Sequence, residues 1–318
     1  MNLTFNKTNF QGHKLKKNQD YFEGWYFKQT TIDNSVICFI PGVSLNLHDS
    51  HAFIQCIYKD QKHNHQTYYF KYPLSQFSYT NKPFTVSIGN NFFSKNKIII
   101  DINDDKIIRG KIKFIDTIDL NRSLLNPNIM GFFSYLPNLE CRHEIVSMNH
   151  FLKGKMNIEK KEINFDYGKG YIEKDWGSSF PTKYIWLQAN NFKEAEISLC
   201  FSIARVPIFK TEIEGFFGNL LIKEKQYRFA TYNHSKATIL KCDDEGLSIL
   251  IKNHKYTLQI SGQLADGEEL WAPRNGKMAY KIKETLTMDL HLILKNASNQ
   301  IIIDTISSNC GIEIVNYK

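Results

Sequence analysis

Three stretches hold most of the residues able to do chemistry: DYFEGWYFKQ (20–29), GFFSYLPNLECRHEIVSMNHFLKG (131–154) and FDYGKGYIEKDWGSSFPTKYIWLQANNF (165–192). Each mixes aromatic rings with carboxylates or histidine. Alternate residues of a strand share a face, so Glu23 goes with Trp25, Tyr171 with Glu173 and Asp175, and Cys141 with His143. Trp186 and Gln188 share a face beyond the break at Pro181. Such groups suit proton transfer, because burial raises a carboxyl pKa and lets it keep its proton near neutral pH. Imidazole exchanges protons in the same range.

Other chemistries find less support. The six cysteines, at 38, 56, 141, 200, 242 and 310, are widely spaced, with no CxxC and no Cys/His cluster at zinc spacing. They read as buried thiols in a reducing compartment, and no metal site is expected. His63 and His65 flank Asn64 in a polar connection and are expected at the surface. No glycine-rich dinucleotide turn is present, so no cofactor is expected. Forty Lys and Arg against 32 Asp and Glu give +8, but only residues 13–17 form a basic run. A surplus this dispersed reads as solvated surface, with no nucleic-acid partner. No apolar run has signal-peptide or membrane-spanning length. A soluble, cytoplasmic protein is expected, with peripheral membrane contact left open.

The elements that must position these residues read as strands. Hydrophobic residues make up 42% and aromatics 14% of 318 residues, which excludes disorder, collagen and small disulfide scaffolds and suggests two domains. Short β-branched and aromatic runs alternate with Asn, Asp, Gly and Lys, and helical periodicity is scarce. The segment IIIDINDDKIIRGKIKF predicts a hairpin turning at 103–105, and LSILIKNHKYTLQI a second one. EGWYFKQ, VICFIPG and HAFIQCIY correspond in order to YIWLQAN, EISLCFSI and FFGNLLIK, a weak internal repeat. Many strands with little helix close most economically into barrels, which removes unpaired edges. The fold expected is all-β, with two antiparallel β-barrel domains over 1–177 and 178–318 and little helix.

ECRHEIVSMNHFLKG followed by DYGKGYIEKDWGSSFPTKYIWLQANNF resembles the tocopherol cyclase family, to which carotenoid hydratases and hydroxyneurosporene synthase-like proteins are related. EGWYFK, FIPG, HAFIQ, LWAPRNGKM and the closing SSNCGIEIV fit the same pattern, in order along nearly the whole chain. The resemblance implies two lipocalin-like barrels that take a hydrophobic small molecule, an isoprenoid or prenylated quinol. It also implies a reaction that adds a phenol across a prenyl double bond. No electrons are exchanged, but a proton must reach the alkene and another must leave the phenol.

For that reaction Asp175 is the first candidate acid, with Glu173 and Glu23 next, and His143 is the candidate acceptor of the phenolic proton. The same carboxylates, flanking Lys174, would otherwise be structural ion pairs or turn formers. Asn149 and His150 would position a head group, and Tyr26, His51, Trp176, Trp186 and Gln188 would line the ligand. Trp25 either lines it or plugs the closed end of a barrel, as the first-strand Trp of lipocalins does. The competing reading is a carrier that holds an isoprenoid, quinone or other lipid without changing it. Catalysis needs a buried carboxyl in reach of the ligand, whereas carriage needs only apolar walls.

Overall fold

The computed structural model describes residues 10–12, 20–62, 64–136, 139–194, 196–208, 211–265 and 267–317. The basic run at 13–17 and His63 lie outside the described residues. No α-helix occurs among the described residues. The chain forms two compact units. The first comprises Met1–Asn128, Glu140–Phe180 and Leu270–Lys281; the second comprises Ile129–Leu139, Pro181–Glu269 and Ile282–Lys318.

The first unit contains β1 (Tyr21–Thr30), β2 (Val36–Leu45), β3 (His51–Lys59), β4 (His65–Pro73), β5 (Phe77–Asn81) and β6 (Phe84–Ile88). It continues with β7 (Asn91–Ser94), β8 (Lys97–Asn103), β9 (Ile107–Ile118), β10 (Cys141–Ile158), β11 (Lys161–Asn164) and β12 (Lys169–Gly177). Pairing runs β4-β3-β2-β1-β12-β10-β9-β8-β7-β6-β5, with β11 attached to β10. The two ends of this path, β4 and β5, are consecutive in the chain, and the sheet is a nearly closed barrel. In β9 the reason is visible in IIRGKIKFIDTI: Ile108, Ile112 and Phe114 are buried, while Arg109, Lys111 and Lys113 are exposed. Rings of Trp25, Phe27, Phe39, Phe84, Phe93 and Phe114 belong to its core. Burying a Phe side chain contributes about 1.5–3 kcal/mol, so these rings are a main source of this unit's stability.

In the second unit lie β13 (Lys183–Ala189), β14 (Ile197–Ile208), β15 (Thr211–Ile222), β16 (Lys225–Ala230), β17 (Lys236–Asp243), β18 (Gly246–Lys252) and β19 (Tyr256–Gln263). β20 (Glu268–Arg274) lies mostly in the first unit, β21 (Lys277–Asn296) begins there and runs on into the second, and the closing strand is β22 (Ile301–Val315). The order is β16-β15-β14-β13-β22-β21-β19-β18-β17, and β20 pairs with β21. This sheet is a curled half-barrel, so closure is less complete than in the first unit. Its core is mainly aliphatic, built on residues such as Leu199, Ile249, Ile260 and Leu292, with Phe201 and Phe229 among them.

The internal repeat has a topological counterpart. β1-β2-β3 and β13-β14-β15 are matching meanders, and in each sheet its last strand in chain order, β12 or β22, returns to pair beside the first. Both predicted hairpins form. The first turns at Asp104–Lys106, one residue later than expected, and joins β8 to β9. The second turns where the Asn253 side chain accepts hydrogen bonds from the Lys255 and Tyr256 amides at 2.9 Å each.

Within the first unit the LWAPRNGKM hairpin docks onto the other motifs. Gln55 of HAFIQ accepts from the Trp271 amide at 2.8 Å and donates to its carbonyl at 3.2 Å. The Gly276 amide donates to the Ser178 carbonyl at 2.7 Å, and its own carbonyl accepts from Ser44 at 2.6 Å. Gly276 has φ +70, and a Cβ there would stand 2.5 Å from the Leu45 carbonyl oxygen, so glycine is required.

Candidate functional site

β1, β12 and β10 lie side by side, and their registers set the site. Gly24, Asp175 and His143 form one row across the three strands; Trp25, Lys174 and Glu144 form the next. Because the side-chain period is two, these rows face opposite ways. The row of Lys174 faces the aromatic core with Trp25 and Trp176. The row of Asp175 faces away from it, with Tyr171, Glu173 and Tyr26.

On the outward face a series of polar groups is linked side by side. The Tyr171 hydroxyl donates to Glu173 Oε2 at 2.6 Å. That oxygen lies 3.3 Å from His143 Nε2, and His143 Nδ1 is 2.8 Å from Asp175 Oδ1. Both ring nitrogens thus face carboxyl oxygens: Nε2–H points to Glu173, and the hydrogen between Nδ1 and Asp175 Oδ1 satisfies that contact whether it sits on the imidazole or on the carboxyl. The series is graded in exposure: the Glu173 side chain is 3% exposed, His143 7% and Asp175 23%. Gly24 offers no side chain to cover Asp175 across the strand pair. The half-buried Cys141 thiol approaches Asp175 Oδ1 at 3.9 Å; desolvation pushes its pKa well up, so it stays a neutral donor.

On the inward face Lys174 Nζ meets Glu23 Oε1 at 2.6 Å, both side chains fully buried. The Gln11 amide donates to both Glu23 oxygens at 2.9 Å, the Gly12 amide to Oε2 at 3.1 Å, and the Tyr21 hydroxyl to Oε2 at 2.5 Å. Burial, reinforced by the Glu23 charge, pushes the Tyr21 hydroxyl far up, which keeps it a donor. The Lys174 ammonium also sits over the rings of Trp176 at 4.5 Å and Trp25 at 5.2 Å. Glu23 has donors on both oxygens and no geometry left for exchange with a substrate. Beside it, Glu144 takes a 2.8 Å hydrogen bond from Arg122 on Oε1. Its Oε2 has no partner among the described residues, and burial raises its pKa.

The other expected ligand-facing residues are dispersed. Tyr26 pairs across from Glu173 and accepts from the Cys38 thiol at 3.1 Å. His51, at the start of β3, is held between the Asp49 carbonyl at 2.9 Å and the Tyr69 hydroxyl at 2.8 Å. Asn149 is buried on β10, its carbonyl accepting from Ser147 at 3.1 Å. His150 is buried on the core side against Phe114, ring centroids 4.4 Å apart. Trp186 and Gln188 are buried on β13 of the second unit.

Lys174, Tyr21, Glu144 and Arg122 were not among the expected site residues. A signal for Lys174 was present: in YIEKDW it alternates with two acids, so parity sends it to the face of Trp176, away from both.

The model of the family described as tocopherol cyclase-like matches residues 121–315, well over half of the chain. The chloroplastic tocopherol cyclase of Zea mays is 31% identical over 71 residues, which are 22% of this chain and 15% of that protein. The match thus spans a small fraction of that relative's length. Among solved structures, kievitone hydratase from Nectria haematococca superposes with a TM-score of 0.54 at 12% identity, covering 95% of this chain and 90% of that one. CghA in complex with Sch210972 gives 0.57 at 9% identity, covering 93% and 89%. These likenesses show a shared fold, and with the family match they give one conclusion: the chain belongs to the tocopherol cyclase-like family.

Proposed function

We propose that the chain is an acid–base enzyme that closes a ring on, or adds water to, an isoprenoid or prenylated quinol, with Asp175, His143 and Glu173 as its proton-transfer residues. The observation that carries this reading is the Tyr171–Glu173–His143–Asp175 series, buried at one end and partly open at the other. A relative named a cyclase and a structural neighbour named a hydratase fit one elementary step, addition of O–H across C=C. In ring closure the phenolic O–H and the alkene π bond break, and a C–O and a C–H bond form. The proton lost by oxygen equals the proton gained by carbon, so a residue series that gives one and takes one ends each cycle unchanged. Asp175, the open end, is the donor to the alkene. His143 receives the phenolic proton and restores Asp175 across their 2.8 Å contact. Glu173, fixed by Tyr171, holds the imidazole in place.

Incubation of the full chain with a prenylated hydroquinone in D2O, followed by mass spectrometry, tests this reading. Ring closure gives an isomer of the substrate with one carbon-bound deuterium, and hydration adds the elements of D2O, one deuterium again bound to carbon. Substrate recovered bound but unchanged would make the protein a carrier instead. Products formed equally fast by His143→Asn would remove these residues from the chemistry.

A further inference from the structure

A second polar group of residues lies farther along the same three strands, on the core side, and plays no part in the proposed chemistry. Gln29 on β1 and His150 on β10 both pair with Gly170 on β12, so the three form one row. A Cβ at position 170 would stand 2.1 Å from His150 Nε2, so only glycine lets the imidazole lie over the middle strand. Gln29 is fully buried and His150 is 1% exposed. Yet Gln29 Nε2, Gln29 Oε1 and His150 Nε2 have no hydrogen-bond partner among the described residues. A buried polar atom left unpaired is destabilising, and three in one row indicate a shared guest.

The tautomer of His150 defines that guest. The Ser147 hydroxyl donates to the Asn149 carbonyl at 3.1 Å, so its oxygen accepts from His150 Nδ1–H at 3.0 Å. Nε2 is then a bare acceptor. The site therefore offers two acceptor atoms, Nε2 and the Gln29 oxygen, and one donor atom, the Gln29 amide nitrogen. Water, with two hydrogens and free lone pairs, satisfies all three; an alcohol or phenol has one hydrogen and leaves an acceptor unpaired. The surrounding rings of Phe27 and Phe114, 6.2 Å apart between centroids, also favour a small guest. Burial, which pushes His150 down to about 3, keeps the ring neutral and Nε2 an acceptor at any ordinary pH.

We propose that Gln29, Gly170 and His150 form an internal binding site for one water molecule that bridges β1 to β10. Such a bridge ties β10 back to its neighbours just beyond the two register shifts between Ile145 and His150, which separate it from His143. The test is a high-resolution crystal structure of the full chain, with 15N NMR of the His150 ring and its water NOEs. The expected result is one solvent peak within hydrogen-bond distance of all three atoms, a protonated Nδ1, and a ring-to-water NOE that disappears in Gln29→Leu. A direct Gln29–His150 hydrogen bond, a protonated Nε2, density for an organic molecule, or an NOE that survives in Gln29→Leu would overturn it.

Discussion

The two faces of β1, β12 and β10 carry similar residue types in opposite conditions. Inward, the Glu23–Lys174 pair is fully buried, and Glu23 takes its donors from Gln11, Gly12, Tyr21 and Lys174. Outward, His143 bridges two carboxylates, and Asp175 remains 23% exposed. The inward pair is a fixed component of the core, because each oxygen already has its donors. The outward series keeps a partly open end through which a proton can pass. An open end, rather than residue type, separates the outward series, to which we assign the proton transfer, from the buried structural pair.

The sharpest way to break this comparison is Lys174→Met. Removing one partner of a buried pair leaves the other charge uncompensated and costs about 3–5 kcal/mol. Denaturant unfolding of the single variant and of Lys174→Met/Glu23→Leu should show most of that loss recovered in the double. A loss below about 1 kcal/mol in the single variant would mean that the pair is not structural. Next in size, His143→Asn should lower turnover of a prenylated hydroquinone about 100- to 10,000-fold in a variant that still folds, whatever its unfolding midpoint.

Stability against pH sharpens the contrast farther along the inward face. Burial lowers the His150 pKa from 6.5 to about 3, so between these values the unfolded chain binds a proton that the folded chain refuses. Stability is complete above 6.5 and falls on acidification by about 1.4 kcal/mol per pH unit from this group. His150→Gln should flatten that slope by this amount, which titrations of unfolding free energy between those pH values would read. The smallest effect is expected of Tyr171→Phe, which removes one hydrogen bond to Glu173, a loss of about 1 kcal/mol or several-fold in turnover.

Much of this was legible in the sequence. Parity alone put Tyr171, Glu173 and Asp175 on one face, and the repeat of EGWYFKQ with YIWLQAN foretold two related sheets. It did not show that Glu23 belongs to the opposite face from Asp175, because that depends on the pairing of Glu23 with Trp176 rather than with a neighbour. Nor did it give Glu144 and Arg122, which are 22 residues apart and meet only through the fold. The LWAPRNGKM hairpin joins the first unit, although it follows most of the second in the chain. Such an exchange leaves no trace in local composition, whereas the short turns of the two hairpins are set by their own Asn and Asp side chains.

The most direct measurement is the turnover of a prenylated hydroquinone by Glu173→Gln, a variant that keeps the shape of the side chain and the Tyr171 contact but removes the negative charge facing His143. Turnover at least about 100-fold below that of the unaltered chain, with an unchanged unfolding midpoint, is the predicted result. Full turnover by the folded variant would contradict the assignment of proton transfer to the outward face.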